Sequence, residues 1–204
     1  MSAPLVSVLM ATRPRFEGRA RRCFERQTYP NCELIEMPGP AVLGAKLNAA
    51  AEESHGEILI KWDDDDWYSP DFIMHAVGRL GGLRNAIVAS THFAILVSGE
   101  TAARLSGSDW AAGGTLCFHR SLWESCHFVP KPRHVDELFR LYSRAPVLSL
   151  YDPADYVIVR HDANLWAGSP WDYSLRSRPE WRPAADILPA EDLEYFHDGW
   201  RAAA

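Results

Sequence analysis

The chain has 204 residues, of which 47% are hydrophobic and 24% are charged, a composition typical of globular proteins. It excludes a collagen-like, coiled-coil or wholly disordered chain, and the length favours one domain with a single core. The 21 basic and 27 acidic side chains give a formal net charge of −6, so nucleic acid is not an expected partner.

No feature of the sequence predicts secretion or membrane insertion. The cysteines at positions 23, 32, 117 and 126 form no CxxC pair, and we expect reduced thiols. The apolar run at 4–11 lacks a preceding basic stretch, and no segment approaches the ~18 apolar residues that a membrane span needs. The sequence therefore predicts a cytoplasmic protein without a transmembrane segment.

The first sixty residues alternate between predicted strands and helices. LVSVLMA at 5–11 predicts a buried parallel strand, and the apolar spacing over 15–27 predicts an amphipathic helix. A strand at 33–37, a helix at 44–54 and a strand at 57–62 follow. This alternation implies right-handed crossovers and a parallel sheet.

The remaining chain predicts more of the same elements. We expect helices at 71–80, from Ser121 and at 134–145, and strands at 87–90, 93–100, 115–120, 147–151 and 156–161. Residues 167–204 lack clear periodicity. They predict a C-terminal extension that forms a lid or an oligomer contact, with a short helix near 190–198.

Four consecutive aspartates, Asp63 to Asp66, directly follow the third predicted strand. Adjacent carboxylates repel one another, and Mg²⁺ or Mn²⁺ takes one or two carboxylates together with substrate phosphates. Ligands of an open α/β sheet bind beyond the carboxyl ends of its strands, where this run falls. A solvated acidic loop is the alternative, but the position after a buried strand favours a metal site.

Four segments resemble the family-2 glycosyltransferases of the GT-A fold: PLVSVLMATR, RQTYPNCELI, LGAKLNAAAEESHGEILIKWDDDDWYSPDFI and GGTLCFHRSLWE. The resemblance implies an α/β domain over residues 1–166, with a mixed, mostly parallel sheet flanked by helices. It also implies a hexosyltransferase that uses Mn²⁺ or Mg²⁺. Such an enzyme transfers a sugar from a UDP- or GDP-linked donor to a saccharide or other hydroxyl acceptor, with inversion by direct displacement. A homo-oligomer is among the expected assemblies.

The resemblance assigns roles to the aspartates and to a later histidine. The family's DxD motif matches Asp63 and Asp65, so Asp65 is the expected metal ligand and Asp63 lies near the metal and the donor ribose. Asp64 is expected at the donor, and Asp66 adjoins the metal. His161, in a His-x-x-Asn element like that of related small enzymes, would complete the metal shell or touch the diphosphate; a structural histidine is the alternative.

The resemblance also extends to the donor-binding residues. Thr12 and Arg13 end the first strand, where the family's loop contacts the nucleoside, and Lys46 and Asn48 match a basic residue and an asparagine near the donor. A surface position is the alternative for Lys46. The segment 37–40 replaces an Asp-Asp pair that reads the base in many relatives, so the donor base stays open.

The catalytic base is expected at the start of the helix predicted over 134–145. Asp136 matches the family's catalytic carboxylate, but Val135 stands where an acidic residue is common, so Asp136 and Glu137 are both candidates. A general base must lie within hydrogen-bond reach of the acceptor hydroxyl. A carboxylate that only favours the helix N-terminus is the alternative.

Three other functions are weighed against glycosyl transfer. A catalytically silent nucleotide-sugar or glycan-binding protein would keep the same fold. A nucleotidyltransferase would carry a glycine-rich basic loop after the first strand, for which ATRPRFEG is a poor candidate. A zinc site at Cys117, His119, Cys126 and His127 has the right atoms, but the spacing fits no standard zinc finger.

Overall fold

The computed structural model describes residues 3–16, 18–97, 102–105, 110–161, 164 and 181–194. Its strands are β1 (Val6–Ala11), β2 (Cys32–Met37), β3 (Ile58–Trp62), β4 (Trp67–Tyr68), β5 (Ile87–Ser90), β6 (Ala94–Val97), β7 (Ala102–Leu105), β8 (Cys117–His119), β9 (Val147–Leu150), β10 (Tyr156–Arg160) and β11 (Trp181–Pro183). Its α-helices are α1 (Arg19–Glu25), α2 (Leu43–Glu53), α3 (Phe72–Leu80), α4 (Arg120–Ser125), α5 (Val135–Ser143) and α6 (Ala190–Leu193).

A six-stranded sheet of order β2-β1-β3-β8-β5-β9 forms the centre of the fold. Only β8 runs antiparallel to its neighbours in this sheet. Side chains of β1 and β3 alternate between two apolar clusters, because successive residues of a strand point to opposite faces. Val8 and Ile60 belong to one cluster, and Leu9 and Leu59 to the other. Both faces are thus covered, as the unbroken apolar runs predict.

A second sheet of order β11-β7-β6-β10-β4 lies after the aspartate run in the chain. The run Asp63–Asp66 connects β3 of the central sheet with β4 of the second sheet. The parallel pairing of β10 with β6 and the antiparallel pairing of β10 with β4 complete this junction. The aspartates therefore occupy the junction between the two sheets.

Three local features differ from the sequence expectations. The helix predicted over 15–27 is divided at Gly18, whose positive φ of 85° separates a 3-10 turn at Pro14–Phe16 from α1. The strand predicted at 115–120 begins instead as a 3-10 turn over Gly113–Thr115. The strands β4, β7 and β11 were not predicted: β4 and β11 have only two and three residues, and β7 is alanine-rich and lacks the β-branched and aromatic residues typical of strands.

The described part of the C-terminal extension packs onto the rest of the molecule. The strand β11 pairs with β7, and Ala184 and Leu188 join the apolar cluster that contains Val8. The fully buried carboxylate of Asp192 accepts hydrogen bonds from Trp67 Nε1 at 2.8 Å and from Arg26 Nη2 at 2.7 Å. Residues 167–180 and 195–204 lie outside the described ranges, as does part of the helix predicted near 190–198.

None of the helices in the described ranges is both long enough and apolar enough to cross a bilayer.

The docking of residues 181–194 is tested at Asp192. We expect Asp192→Ala to lower the free energy of unfolding by ~2–3 kcal/mol, because the substitution leaves buried donors of Trp67 and Arg26 without an acceptor. The matched control is Glu191→Ala, since Glu191 is 67% exposed and its carboxylate lies 3.5 Å from the same arginine. Its effect should stay below ~1 kcal/mol. If urea titrations showed equally small decreases in the free energy of unfolding for both variants, this docking would be contradicted.

Candidate active site

The aspartate run lies at the carboxyl end of β3, where four other segments converge. These are the loop after β1, the Gly113–Thr115 turn, the start of α5 and the end of β10. The carboxyl ends of parallel strands form the binding edge of an α/β sheet. Each aspartate of the run has a different set of partners in this place.

Asp64 is held by Arg13. The backbone N–H of Arg13 donates to Asp64 Oδ2 at 2.6 Å, and its guanidinium Nη2 donates to Oδ1 at 2.5 Å. The Arg13 Cζ lies 4.2 Å from the centre of the Phe16 ring, which supports the planar guanidinium. Burial raises the pKa of Asp64, and the hydrogen bonds and charge of Arg13 oppose that rise.

Asp65 is held by three polar side chains. Its Oδ2 lies 2.7 Å from Arg13 Nη2 and 2.9 Å from His161 Nε2, and it accepts a hydrogen bond from Asn164 Nδ2 at 3.1 Å. Burial alone would raise the pKa of Asp65, but the hydrogen bond with His161 and the charge of Arg13 together hold it below its usual value. Asp65 therefore remains a carboxylate although it is buried.

Asp66 is directed into the protein and binds β10. Its Oδ2 accepts a hydrogen bond from the Tyr156 hydroxyl, and its Oδ1 accepts one from the backbone N–H of Val159 at 2.9 Å. Burial and the neighbouring charges of Asp65 and Asp63 raise the pKa of Asp66 well above its usual value. Both carboxylate oxygens of Asp66 thus have hydrogen-bond partners within the fold. This geometry favours a structural role for Asp66 over the metal ligation that the sequence predicts.

Asp63 is the most accessible aspartate of the run, with 35% of its side chain exposed. Its Oδ1 accepts a hydrogen bond from Lys61 Nζ at 2.7 Å. Its backbone N–H donates to the Tyr68 hydroxyl, which donates in turn to the carbonyl of Gly114. A Cβ placed on Gly114 would lie 2.7 Å from Asp63 Oδ2, so this carboxylate packs directly on the glycine backbone.

Asp136 packs in the same way on the preceding glycine. A Cβ on Gly113 would lie only 1.9 Å from Asp136 Oδ2, so only glycine leaves room for this carboxylate. Glu137 instead projects outward, with 70% of its side chain exposed and its Oε2 3.1 Å from His134 Nδ1. Of the two candidate bases, only Asp136 is brought to the Gly113–Gly114 turn.

The two donor-binding residues predicted on α2, Lys46 and Asn48, have partners in different parts of the structure. Lys46 is buried, and its Nζ donates to the carbonyl of Thr12 at 2.8 Å. Burial lowers the pKa of Lys46, and the charge of Asp64 opposes that effect. Asn48 is not brought to the site, because its amide Oδ1 accepts hydrogen bonds from Trp123 Nε1 and the Phe128 backbone, and its Nδ2 donates to the Phe128 carbonyl.

Lys61 is the site residue that the sequence analysis missed. It is only 2% exposed, and its ammonium group lies among the charges of Asp63, Asp136 and Asp66. The available signal was a lysine inside the apolar strand EILIKW, two residues before Asp63.

The donor set fits a hard divalent cation. Asp63 and Asp65 offer carboxylate oxygens, and Mg²⁺ or Mn²⁺ usually takes one or two of these and completes its shell with water and substrate phosphates. No group of three or more His, Cys, Asp or Glu side chains suited to a metal ion occurs within the described residues, so a cation at Asp63 and Asp65 would take its remaining ligands from water and substrate phosphates. Of the residues weighed as a zinc site, His119 instead bonds through Nδ1 to Ser121.

Comparison with known proteins places this chain in a family. Residues 14–136, more than half of the chain, match the model described as Glycosyl transferase family 2. No curated protein sequence matches the chain significantly.

Solved structures show the same fold at low sequence identity. The crystal structure of S. aureus TarS has a TM-score of 0.59 at 15% identity, over 76% of this chain and 37% of that one. TarS 1–349 in complex with UDP-GlcNAc has a TM-score of 0.53 at 15% identity, over 78% of this chain and 60% of that one. This chain therefore spans less than two thirds of either TarS chain.

The mannosyltransferase PcManGT from Pyrobaculum calidifontis, in complex with GDP-Man and Mn²⁺, has a TM-score of 0.55 at 15% identity. The match covers 99% of this chain and 72% of the PcManGT chain. These structures confirm the predicted GT-A fold, and the family match confirms the resemblance seen in the sequence. The chain belongs to glycosyl transferase family 2.

Proposed function

We propose that this protein is a metal-dependent, inverting glycosyltransferase that uses a UDP- or GDP-linked sugar. The observation that carries the proposal is the placement of Asp63 and Asp136 against consecutive glycines, which brings a donor-side carboxylate and a candidate base to one turn. Family membership supports the reaction class. The UDP-GlcNAc bound to TarS and the GDP-Man and Mn²⁺ bound to PcManGT support the donor and cofactor classes.

On the donor side, carboxylates would hold the metal ion and basic side chains would face the diphosphate. Asp65 and Asp63 would hold Mn²⁺ or Mg²⁺, which when bound stabilises negative charge on the leaving diphosphate as a Lewis acid. His161 and Asn164 contact Asp65 Oδ2 and orient that carboxylate.

Arg13 and Lys46 supply positive charge at the end of β1. Lys46 bonds to the carbonyl of Thr12, which fixes its ammonium group beside the loop proposed to contact the nucleoside. The charges of these two side chains would favour a bound diphosphate and oppose its dissociation before transfer. Residues 37–40 lie at the end of β2, where many relatives recognise the nucleotide base. The base specificity is therefore tested with both UDP and GDP.

The acceptor side depends on Asp136. The acceptor oxygen attacks the anomeric carbon, the bond from that carbon to the diphosphate oxygen breaks, and the acceptor proton passes to the Asp136 carboxylate. A single displacement of this kind inverts the anomeric centre. Asp136 is favoured over Glu137, because Asp136 packs on the Gly113–Gly114 turn whereas Glu137 is 70% exposed and contacts His134. We further propose that the C-terminal extension covers the acceptor side or forms a subunit contact through its residues outside 181–194, because 181–194 pack onto the body of the protein.

The proposed function is tested with UDP-GlcNAc, UDP-glucose and GDP-mannose as donors. We expect the full-length protein to bind at least one of them and to release free nucleoside diphosphate in Mn²⁺, with water as the acceptor. EDTA should abolish both binding and release. Tight metal-dependent binding without any release, even with saccharide acceptors present, would instead identify a silent nucleotide-sugar-binding protein.

The metal assignment is tested by Asp65→Asn. The amide keeps the shape of the carboxylate but loses its charge, so we expect nucleoside diphosphate binding in Mn²⁺ to weaken by about 100-fold in calorimetry. Asp155→Asn is the matched control, because Asp155 is equally buried but bonds to Ser69 and His75 instead. Unchanged affinity in Asp65→Asn would refute the assignment.

The base assignment is tested by Asp136→Asn. This variant cannot accept a proton at neutral pH, so kcat should fall by ~10²–10⁴-fold while the donor affinity changes little. Glu137→Gln is the control one residue along the helix and should transfer at nearly the normal rate. A large fall in kcat for Glu137→Gln together with a small one for Asp136→Asn would instead identify Glu137 as the base.

A further inference from the structure

The carboxyl edge of the central sheet continues beyond the proposed active site. The strands β3, β5 and β9 run in one direction and β8 runs opposite to them, so the ends of β5 and β9 lie at the same edge as the aspartate run and the Gly113–Thr115 turn. The Ser90 carbonyl accepts the backbone N–H of Ala112 at 2.8 Å, and the Thr91 N–H donates to the Leu150 carbonyl at 3.1 Å. The loops after β5 and β9 are therefore connected to the turn that holds the candidate base.

Two aromatic rings meet at this end of the sheet. Tyr151 directly follows β9 and His92 follows the end of β5, and their ring centroids are 5.4 Å apart at an interplanar angle of 53°. Tyr151 is nevertheless 63% exposed. Single exposed apolar side chains are common, but this ring is held by a neighbour at the edge where ligands of an α/β sheet bind. Tyr151 thus presents a supported aromatic face to a ligand at that edge.

His92 adds a hydrogen-bonding atom beside the tyrosine. The Thr91 hydroxyl donates to the Leu150 carbonyl at 3.4 Å, so it accepts at its contact of 3.1 Å with His92 Nδ1. Nδ1 therefore carries the proton, and Nε2 of the neutral ring is an acceptor. Within the part of the chain that the structure describes, no group bonds to His92 Nε2. A ligand hydroxyl is a donor that suits this atom.

We propose that Tyr151 and His92 form an acceptor subsite that binds one ring of an oligosaccharide. The C–H face of the sugar ring would pack on the negative face of the Tyr151 ring, and a sugar hydroxyl would donate to His92 Nε2. The role as an acceptor subsite rests on the proposed function, whereas saccharide binding rests on the geometry of the two side chains.

The strand order determines which ring of the acceptor this subsite receives. Val88 of β5 pairs with Cys117 of β8 on one side and with Leu148 of β9 on the other. Neighbouring strands lie ~4.8 Å apart, so Tyr151 lies roughly 10 Å along the sheet from the start of β8. The reacting hydroxyl must lie at Asp136, beside the turn before β8. Tyr151 would therefore hold a second or later ring of the acceptor.

Saccharide binding is measured by calorimetry on the full-length protein, with and without Mn²⁺ and a nucleoside diphosphate. The probes are maltotriose, cellotriose, N-acetylchitotriose and mannotriose. We expect at least one to bind, and Tyr151→Ala to weaken its binding by about 3- to 10-fold, the effect of losing one stacked ring. Tyr142→Ala is the matched control and should change nothing, because Tyr142 is 58% exposed but contacts no other ring within the described residues.

The acceptor role is measured with the donor that the protein turns over. Tyr151→Ala should raise the KM for the bound trisaccharide by about 3- to 10-fold, with little change in kcat or in hydrolysis of the donor by water. The KM for the corresponding monosaccharide should not change, because a single ring at Asp136 does not reach the subsite. Tyr151→Phe keeps the aromatic face and should behave like the wild type. His92→Phe keeps a ring beside Tyr151 but removes Nε2, and should raise the trisaccharide KM by about fivefold.

The results that would overturn the subsite differ from those that would overturn the proposed function. The subsite fails if no trisaccharide binds the wild-type protein, or if Tyr151→Ala and Tyr142→Ala have equal effects. If the wild-type protein turns over no donor, the proposed function fails and calorimetry alone decides whether the two rings bind saccharide. If donor turnover is normal and Tyr151→Ala binds and uses the trisaccharide as well as the wild type does, the subsite fails and the proposed function stands.

Discussion

The burial of consecutive carboxylates is the constraint on which this structure depends. Asp64, Asp65 and Asp66 are each almost completely removed from solvent, although they are adjacent in the chain. An isolated charge costs several kcal/mol to bury unless a partner compensates it. The protein meets this cost in different ways: Asp64 and Asp65 share Arg13, and Asp66 accepts hydrogen bonds from β10.

Because the compensating groups belong to separate elements, the same contacts hold the fold together. Arg13 follows β1, Lys61 lies on β3, and Tyr156 and Val159 lie on β10 of the second sheet. The aspartate run thus lies both at the carboxyl end of β3 in the central sheet and at the junction to the second sheet. A substitution in this run changes the chemistry and the joint between the sheets together, which is why each site variant needs a buried or adjacent control.

The sequence predicts the central sheet well, because β1 and β3 are unbroken apolar runs that only a doubly covered strand accommodates. It also locates the aspartate run and Asp136 through the family motifs. The sequence alone cannot assign different roles to the four aspartates, because most of the groups that distinguish their environments lie far away in the chain. Asn48 shows the same limit: it is two residues from Lys46, and on a helix that spacing turns the side chain away from its neighbour.

The long sequence separation of these contacts determines when the site forms during synthesis. Asp64 pairs with a residue 51 positions earlier, whereas Asp65 depends on His161, 96 positions later. A chain emerging from the ribosome can assemble β1, β2 and β3 long before β10 exists. Until β10 is synthesised, Asp66 lacks its partners in that strand and the repulsion within the run is only partly relieved. Asp65 and Asp66 are therefore among the last groups of the central sheet to acquire all of their native partners.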